Sequence, residues 1–176
     1  EVPIDGQRWM IGHVIETSSE QLNVIRDLGL IVETIPLTHL WLRGQQYVGK
    51  PEVAGQAVAH RDYLDQGVHF GLGTDNKPYS PFPTIWAAVD RQERTTNEVL
   101  GPSQILTRME ALKAITMGGA YFSFEEDRRG SLETGKLADL AVLSDDYLTV
   151  PGDEISGLHS VLTMVGGHEV YSTGTL

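Results

Sequence analysis

The sequence predicts an α/β protein whose parallel sheet is followed by a small antiparallel β tail. Three observations carry that expectation. Strand-like apolar runs alternate with helical patterns through the first two thirds of the chain. The run VHFGLG at 68–73 shows no polar alternation, as happens when helices cover both faces of a parallel sheet. After residue 124 the texture changes to short β-rich segments separated by glycine turns.

The elements follow in order. WMIGHVI at 9–15 reads as a strand with β-branched members. Ser18 with Gln21 three places on has capping-box spacing, so a helix is expected to start there, with Leu22, Ile25 and Leu28 as its apolar stripe and Gly29 as its left-handed cap. LIVETI at 30–35 is the next strand, closed by Pro36, and a polar and aromatic loop is expected to about residue 50. PEVAGQAVAHRDYLDQG reads as one helix ending at Gly67, leading into the strand that stops at Asp75. Further helices are expected around 83–92 and from Thr107, which with Glu110 repeats the capping-box spacing, to Met117 before Gly118 and Gly119. In the tail, GSLETGKLADLAVLS reads as a strand either side of a turn and HSVLTMVGGHEVYST as a hairpin about Gly166 and Gly167. The polar EEDRRG stretch reads as a solvated connection, which sets the expected division at 1–124 and 125–176.

Charge and composition narrow the function classes. A net charge of −11 would repel a phosphate backbone, so nucleic acid is not an expected partner. No apolar stretch approaches the roughly 18 residues of a membrane-spanning helix, and EVPIDGQRW lacks the basic and apolar regions of a signal peptide. The expected setting is the cytoplasm, with no membrane partner. With no cysteine in the chain, a metal ion could be held only by His, Asp, Glu or a modified side chain. The chain opens on Glu1 rather than methionine, as a piece of a longer protein would.

Asp75 stands where a buried strand ends, the position at which parallel α/β proteins place catalytic groups. A carboxylate there is costly to desolvate unless a cation meets it. GTDN is also a good turn sequence, so a capping aspartate is the competing reading. His13, preceded by Gly12 in an apolar strand, is either a ligand for a divalent ion or a core histidine bonded to a carbonyl. His39 lies beyond the second strand and is placed to line a pocket. His60 is expected to be a solvated helix residue, and His159 and His168 belong to the tail. His69 lies six residues before Asp75, about 20 Å at strand rise, too far to share its metal. Arg8 is read as either a site arginine or one half of a salt bridge, and Trp41, Tyr47 and Trp86 as ordinary packing near the mouth.

Four stretches in order resemble the carboxyl-terminal part of the amidohydrolase superfamily, and amidohydrolase family 3 in particular. RWMIGHVIETSSEQLNVIRDLGLIVETIP resembles that family's sixth strand with its metal-binding histidine, the following helix and the seventh strand. GVHFGLGTDN resembles the eighth strand ending in an aspartate. LTRMEALKAITMGGAYFSFEEDRRGSLETGKLADLAVLSDD and TMVGGHEVY are similar to the return into a β-sandwich and its closing strand. The resemblance implies the last three β/α units of a TIM-like (β/α)8 barrel, incomplete, plus a small antiparallel β module. It also implies that His13 and Asp75 bind a divalent metal, most often zinc, as one or two ions in a complete protein. Asp75 would be the catalytic proton acceptor and His39 a substrate-binding residue. Thr74, Asn76 and Lys77 depart from the family's serine, aspartate and small-residue pattern.

The implied activity is hydrolysis of an amide-like carbon–nitrogen bond in a small-molecule substrate by metal-activated water. The family's first-strand His-x-His pair, its bridging lysine and its fifth-strand histidine have no counterpart here, and no His-x-His occurs in the chain. The isolated chain is therefore expected to be inactive and to associate, either with a second copy or with a missing amino-terminal segment. Two other functions stand beside the hydrolase: a non-catalytic assembly module, and a superfamily deaminase or isomerase.

Overall fold

The computed structural model describes residues 4, 6–75 and 79–174. β1 (Met10–Ile11), β2 (Ile31–Thr34) and β3 (Phe70–Leu72) form a parallel sheet in the order β1-β2-β3. Met10 lies opposite Ile31, and Val32 opposite Phe70. β1 is shorter than the expected 9–15 because His13 turns the chain with φ 58°, although Val14 N still donates to Glu33 O at 3.1 Å.

α1 (Ser19–Asp27) begins at the expected capping box, in which Ser18 Oγ accepts from Gln21 N and Gln21 Oε1 accepts from Ser18 N. Leu22 and Ile25 are buried, but Leu28 is the cap residue and stays exposed. Residues 37–47 are not a loop. Leu37–Leu42 form a π-helical turn and Gly44–Tyr47 a 3₁₀ turn, which bury Leu37, Leu40 and Tyr47.

The expected helix over 51–67 is two short pieces, α2 (Pro51–Ala54) and α3 (His60–Asp65). Long-range partners take the backbone between them. Thr17 N donates to Gln56 O at 3.0 Å and Val58 N to Ile15 O at 2.8 Å, while Val58 turns to φ 48°. The Arg91 guanidinium donates to Ala57 O at 2.7 Å and Val58 O at 3.0 Å.

α5 (Arg108–Phe122) then covers the sheet at β3, α4 (Pro81–Asp90) packs on α5 and on the turns at 37–42 and 152–157, and the Thr107–Glu110 capping box forms as expected. α5 runs past the glycines at which the sequence pattern ended it. A Cβ at Gly118 would come within 2.6 Å of Phe70 O, so this glycine lets the helix press onto β3.

In the tail, β4 (Leu140–Leu143), β5 (Ser160–Val165) and β6 (His168–Ser172) form an antiparallel sheet with its hairpin at 166–167. Of the two strands expected within 131–144 only β4 forms, the residues before it being turn and irregular chain. The segment between β4 and β5 returns to the α/β core, where Tyr147, Val150, Ile155 and Leu158 join Leu22, Val32, Phe70 and Ile85. Arg108 clamps that return by donating to Tyr147 O and Val150 O, and Tyr147 OH donates back to Arg108 O at 2.8 Å. Each fully buried aliphatic side chain of this kind contributes about 1.5–3 kcal/mol.

Candidate functional site

In a parallel sheet all strands point one way, so the chain leaves β1, β2 and β3 at one shared end. His13 follows β1 and Asp75 follows β3, both exposed and both in the left-handed region, at φ 58° and 61°. For residues other than glycine such backbone is uncommon, although histidine and aspartate adopt it more readily than most, and Arg8, Val58, Arg91, Asn97 and Phe124 share it elsewhere in the chain. The turn at His13 is held from β2, where Glu33 Oε2 accepts from His13 N at 2.7 Å. β3 is anchored at the same end by Thr84, whose hydroxyl donates to Gly73 O at 3.2 Å.

His39 sits in the π-helical turn after β2 and is 4% exposed. Its Nδ1 is buried without a partner among the described residues. Burial lowers its pKa below the ordinary value, as do His13 and Arg43, while Asp75 acts in the opposite direction. The ring is therefore neutral near neutral pH and lies within electrostatic reach of both His13 and Asp75.

Glu33 was not singled out by the sequence. It lies on β2 with Val32 and Thr34 pointing to the opposite face, where Thr34 Oγ1 meets His60 Nε2 at 2.9 Å. The available signal was one charged residue inside an apolar strand. His60 is not solvated: it is fully buried, stacked on Phe70 at 5.2 Å, and its pKa is driven well below the ordinary value, first by burial and then by Arg91.

The remaining residues stand apart. His69 stacks on Tyr121 at 4.0 Å, and Arg8 donates to Glu126 and to Tyr121 O, so the EEDRR stretch is in part an anchored connection. Trp41 and Trp86 meet edge to face at 4.9 Å, and Tyr47 OH donates to Glu16 at 2.8 Å. Asn76 and Lys77 lie outside the described residues. An open groove of about 610 Å³ runs along β1 and α1, lined by Ile11, His13, Val14, Thr17 and Val24 among others.

His13 and Asp75 offer the imidazole and carboxylate donors that suit a divalent cation. Among the described residues, however, no three His, Asp or Glu side chains come close enough together to hold a metal ion.

Fold and site define an α/β protein with polar groups gathered at the carboxyl ends of a parallel sheet. A family model described as an amidohydrolase family matches residues 5–171, and the chain belongs to that family. It is 36% identical over 109 residues to an N-substituted formamide deformylase of Arthrobacter pascens, covering 61% of this chain and 20% of the relative. It is 28% identical over 142 residues to an imidazolonepropionase of Picrophilus torridus, covering 80% of this chain and 31% of that protein. A metal-dependent hydrolase of Pyrococcus furiosus, uncharacterized beyond that description, superposes with a TM-score of 0.63 at 27% identity, over 80% of this chain and 29% of its own. The chain thus spans about a fifth to a third of the length of these relatives.

Proposed function

We propose that the chain is the carboxyl-terminal part of a metal-dependent hydrolase that cleaves a carbon–nitrogen bond in a small molecule, residues 1–124 being the last three units of a (β/α)8 barrel and 125–176 a β module. The observation that carries the reading is the placement of His13 and Asp75 beyond the same ends of parallel strands in a chain of this family. His13 and Asp75 would hold the cation, and zinc suits their donors best. When bound, such an ion polarises the scissile carbonyl and brings water within reach of deprotonation near neutral pH.

The side chains divide the remaining work. An Asp75 carboxylate oxygen takes the proton of the attacking water and returns it to the departing nitrogen. His39, neutral and set in the turn that follows β2, is the substrate-binding histidine of this reading.

The test uses the full-length protein with metal analysis. Asp75→Asn is expected to lower kcat about 10²- to 10⁴-fold with a smaller change in metal content, and His13→Ala to lower metal content itself. Full activity in Asp75→Asn overturns the assignment. The 176-residue chain alone is expected to bind zinc weakly, and stoichiometric binding at micromolar or tighter affinity would contradict the partial-site reading.

The incomplete donor set also supports a second reading, a non-catalytic module that assembles with a partner chain. Upstream sequence separates the two, because a strand ending in His-x-His or His-x-Asp belongs to the hydrolase. A deaminase or isomerase of the same superfamily would share the His13 and Asp75 roles and differ in substrate, so substrate profiling of the full-length protein distinguishes it.

A further inference from the structure

We propose that Glu33 is the positioning residue for His13, and that Gly73 is there to leave room for its carboxylate. The proposal rests on the metal-centre reading only in what His13 is positioned for.

Three observations carry it. The His13 backbone is left-handed, a region that only a few per cent of non-glycine residues occupy, and its N–H donates to Glu33 Oε2 at 2.7 Å. A hydrogen bond to a charged acceptor is among the stronger ones available to a backbone amide. The other oxygen, Oε1, lies over the third strand, where a Cβ built at Gly73 would fall on top of it. On the first strand, a Cβ at Gly12 would stand 3.6 Å from Oε2. The carboxylate thus lies across the sheet between the two strands that deliver His13 and Asp75.

No other partner accounts for the carboxylate. Among the described residues Glu33 forms no ion pair and makes no hydrogen bond other than the one to His13 through its side chain. A surface glutamate would be free to turn to solvent, whereas this one is half-buried against the end of the sheet. The space at Gly73 and the bond at His13 are two ends of one arrangement, so substitutions at 33 and 73 should not act independently.

Hydrogen exchange at the His13 amide in the 176-residue chain tests this directly. Glu33→Ala should speed exchange at His13 about tenfold or more, the loss expected for a charge-assisted bond. Val14 provides an internal control, because its N–H donates to the backbone oxygen of Glu33 and should keep its protection. Glu33→Gln keeps an acceptor and should restore His13 to within a few-fold of the parent. Gly73→Ala should mimic Glu33→Ala, yet add little in a Glu33→Ala background, where the added methyl has space. Unchanged His13 exchange in Glu33→Ala overturns the proposal, as does a Gly73→Ala effect of full size in the Glu33→Ala background. Loss of protection at His13 and Val14 together, in Glu33→Gln as well as Glu33→Ala, assigns Glu33 a general stabilising role and also overturns it. In the full-length protein, cobalt(II) affinity should fall with Glu33→Ala and recover with Glu33→Gln. If the unsubstituted full-length protein binds no divalent cation, the metal-centre reading fails while the exchange result still decides the role of Glu33.

Discussion

At the scale of single residues, the buried histidine His60 makes stability depend on pH. Its Nε2 meets Thr34 Oγ1, its Nδ1 has no partner among the described residues, and burial holds its pKa well below the ordinary value. The unfolded chain takes up a proton at this histidine near pH 6.5, while the folded chain takes it up only well below that. Between those two points the unfolded state holds more protons, so stability is fully present above about pH 6.5 and is lost as the pH falls. The loss from this one group approaches about 1.4 kcal/mol per pH unit. Denaturant midpoints measured from pH 7 down to pH 5 should therefore fall, and His60→Gln should flatten the slope. It will not remove it, because burial also lowers the pKa values of His39 and His69. Equal slopes in the two proteins would show that His60 is not the titrating group.

At the scale of elements, the break between α2 and α3 depends on a cation far away in sequence. Arg91 is fully buried and donates to the carbonyls of Ala57, Val58 and Leu100. Burial brings its pKa down to about 10, so it stays charged at neutral pH. Arg91→Met would keep much of the apolar stem and orphan the buried carbonyls of Ala57 and Leu100, each costing about 1–3 kcal/mol, while Val58 O would keep the His60 N–H at 2.8 Å. A stability loss of about 2 kcal/mol or more is expected by urea denaturation, and a loss below about 1 kcal/mol would mean that the carbonyls find other donors. The same contacts explain what the sequence could and could not disclose. α1 and the start of α5 were legible because each capping box lies within four consecutive residues. The helix over 51–67 was misread because Arg91, Ile15 and Thr17 compete for its backbone from more than 30 residues away. α5 was ended too early because Gly118 serves close approach to β3 rather than termination. In the site, His13, His39 and Asp75 were visible as chemically distinctive residues near strand ends. Glu33 was not, since its meaning depends on the backbone of one neighbouring strand and the missing side chain of another.

At the scale of the whole molecule, apolar surface and net charge pull in opposite directions. Among the described residues β1 pairs with β2 alone, which leaves its other edge open beside the groove. Trp9, Met10, Ile15 and Val24 are exposed around it, and in the tail Val165, Val170 and Tyr171 are exposed as well. An unpaired edge flanked by large apolar side chains favours association, and the partial-barrel proposal assigns that edge to a preceding strand of a longer protein. The charge of −11 opposes contact between two copies of the chain. Added salt weakens that repulsion, since the screening length falls from about 30 Å at 0.01 M to about 10 Å at 0.1 M. Sedimentation velocity of the 176-residue chain should therefore show association that grows with protein concentration and strengthens between those two ionic strengths. Charge-driven pairing would weaken instead. Replacing Met10 and Ile11 with lysine should reduce the association without unfolding the chain, because both side chains are exposed and lysine is a common guard of open strand edges. A compact monomer at both salt concentrations would show that the β1 edge is not sticky, and the case for a strand missing from it would fall.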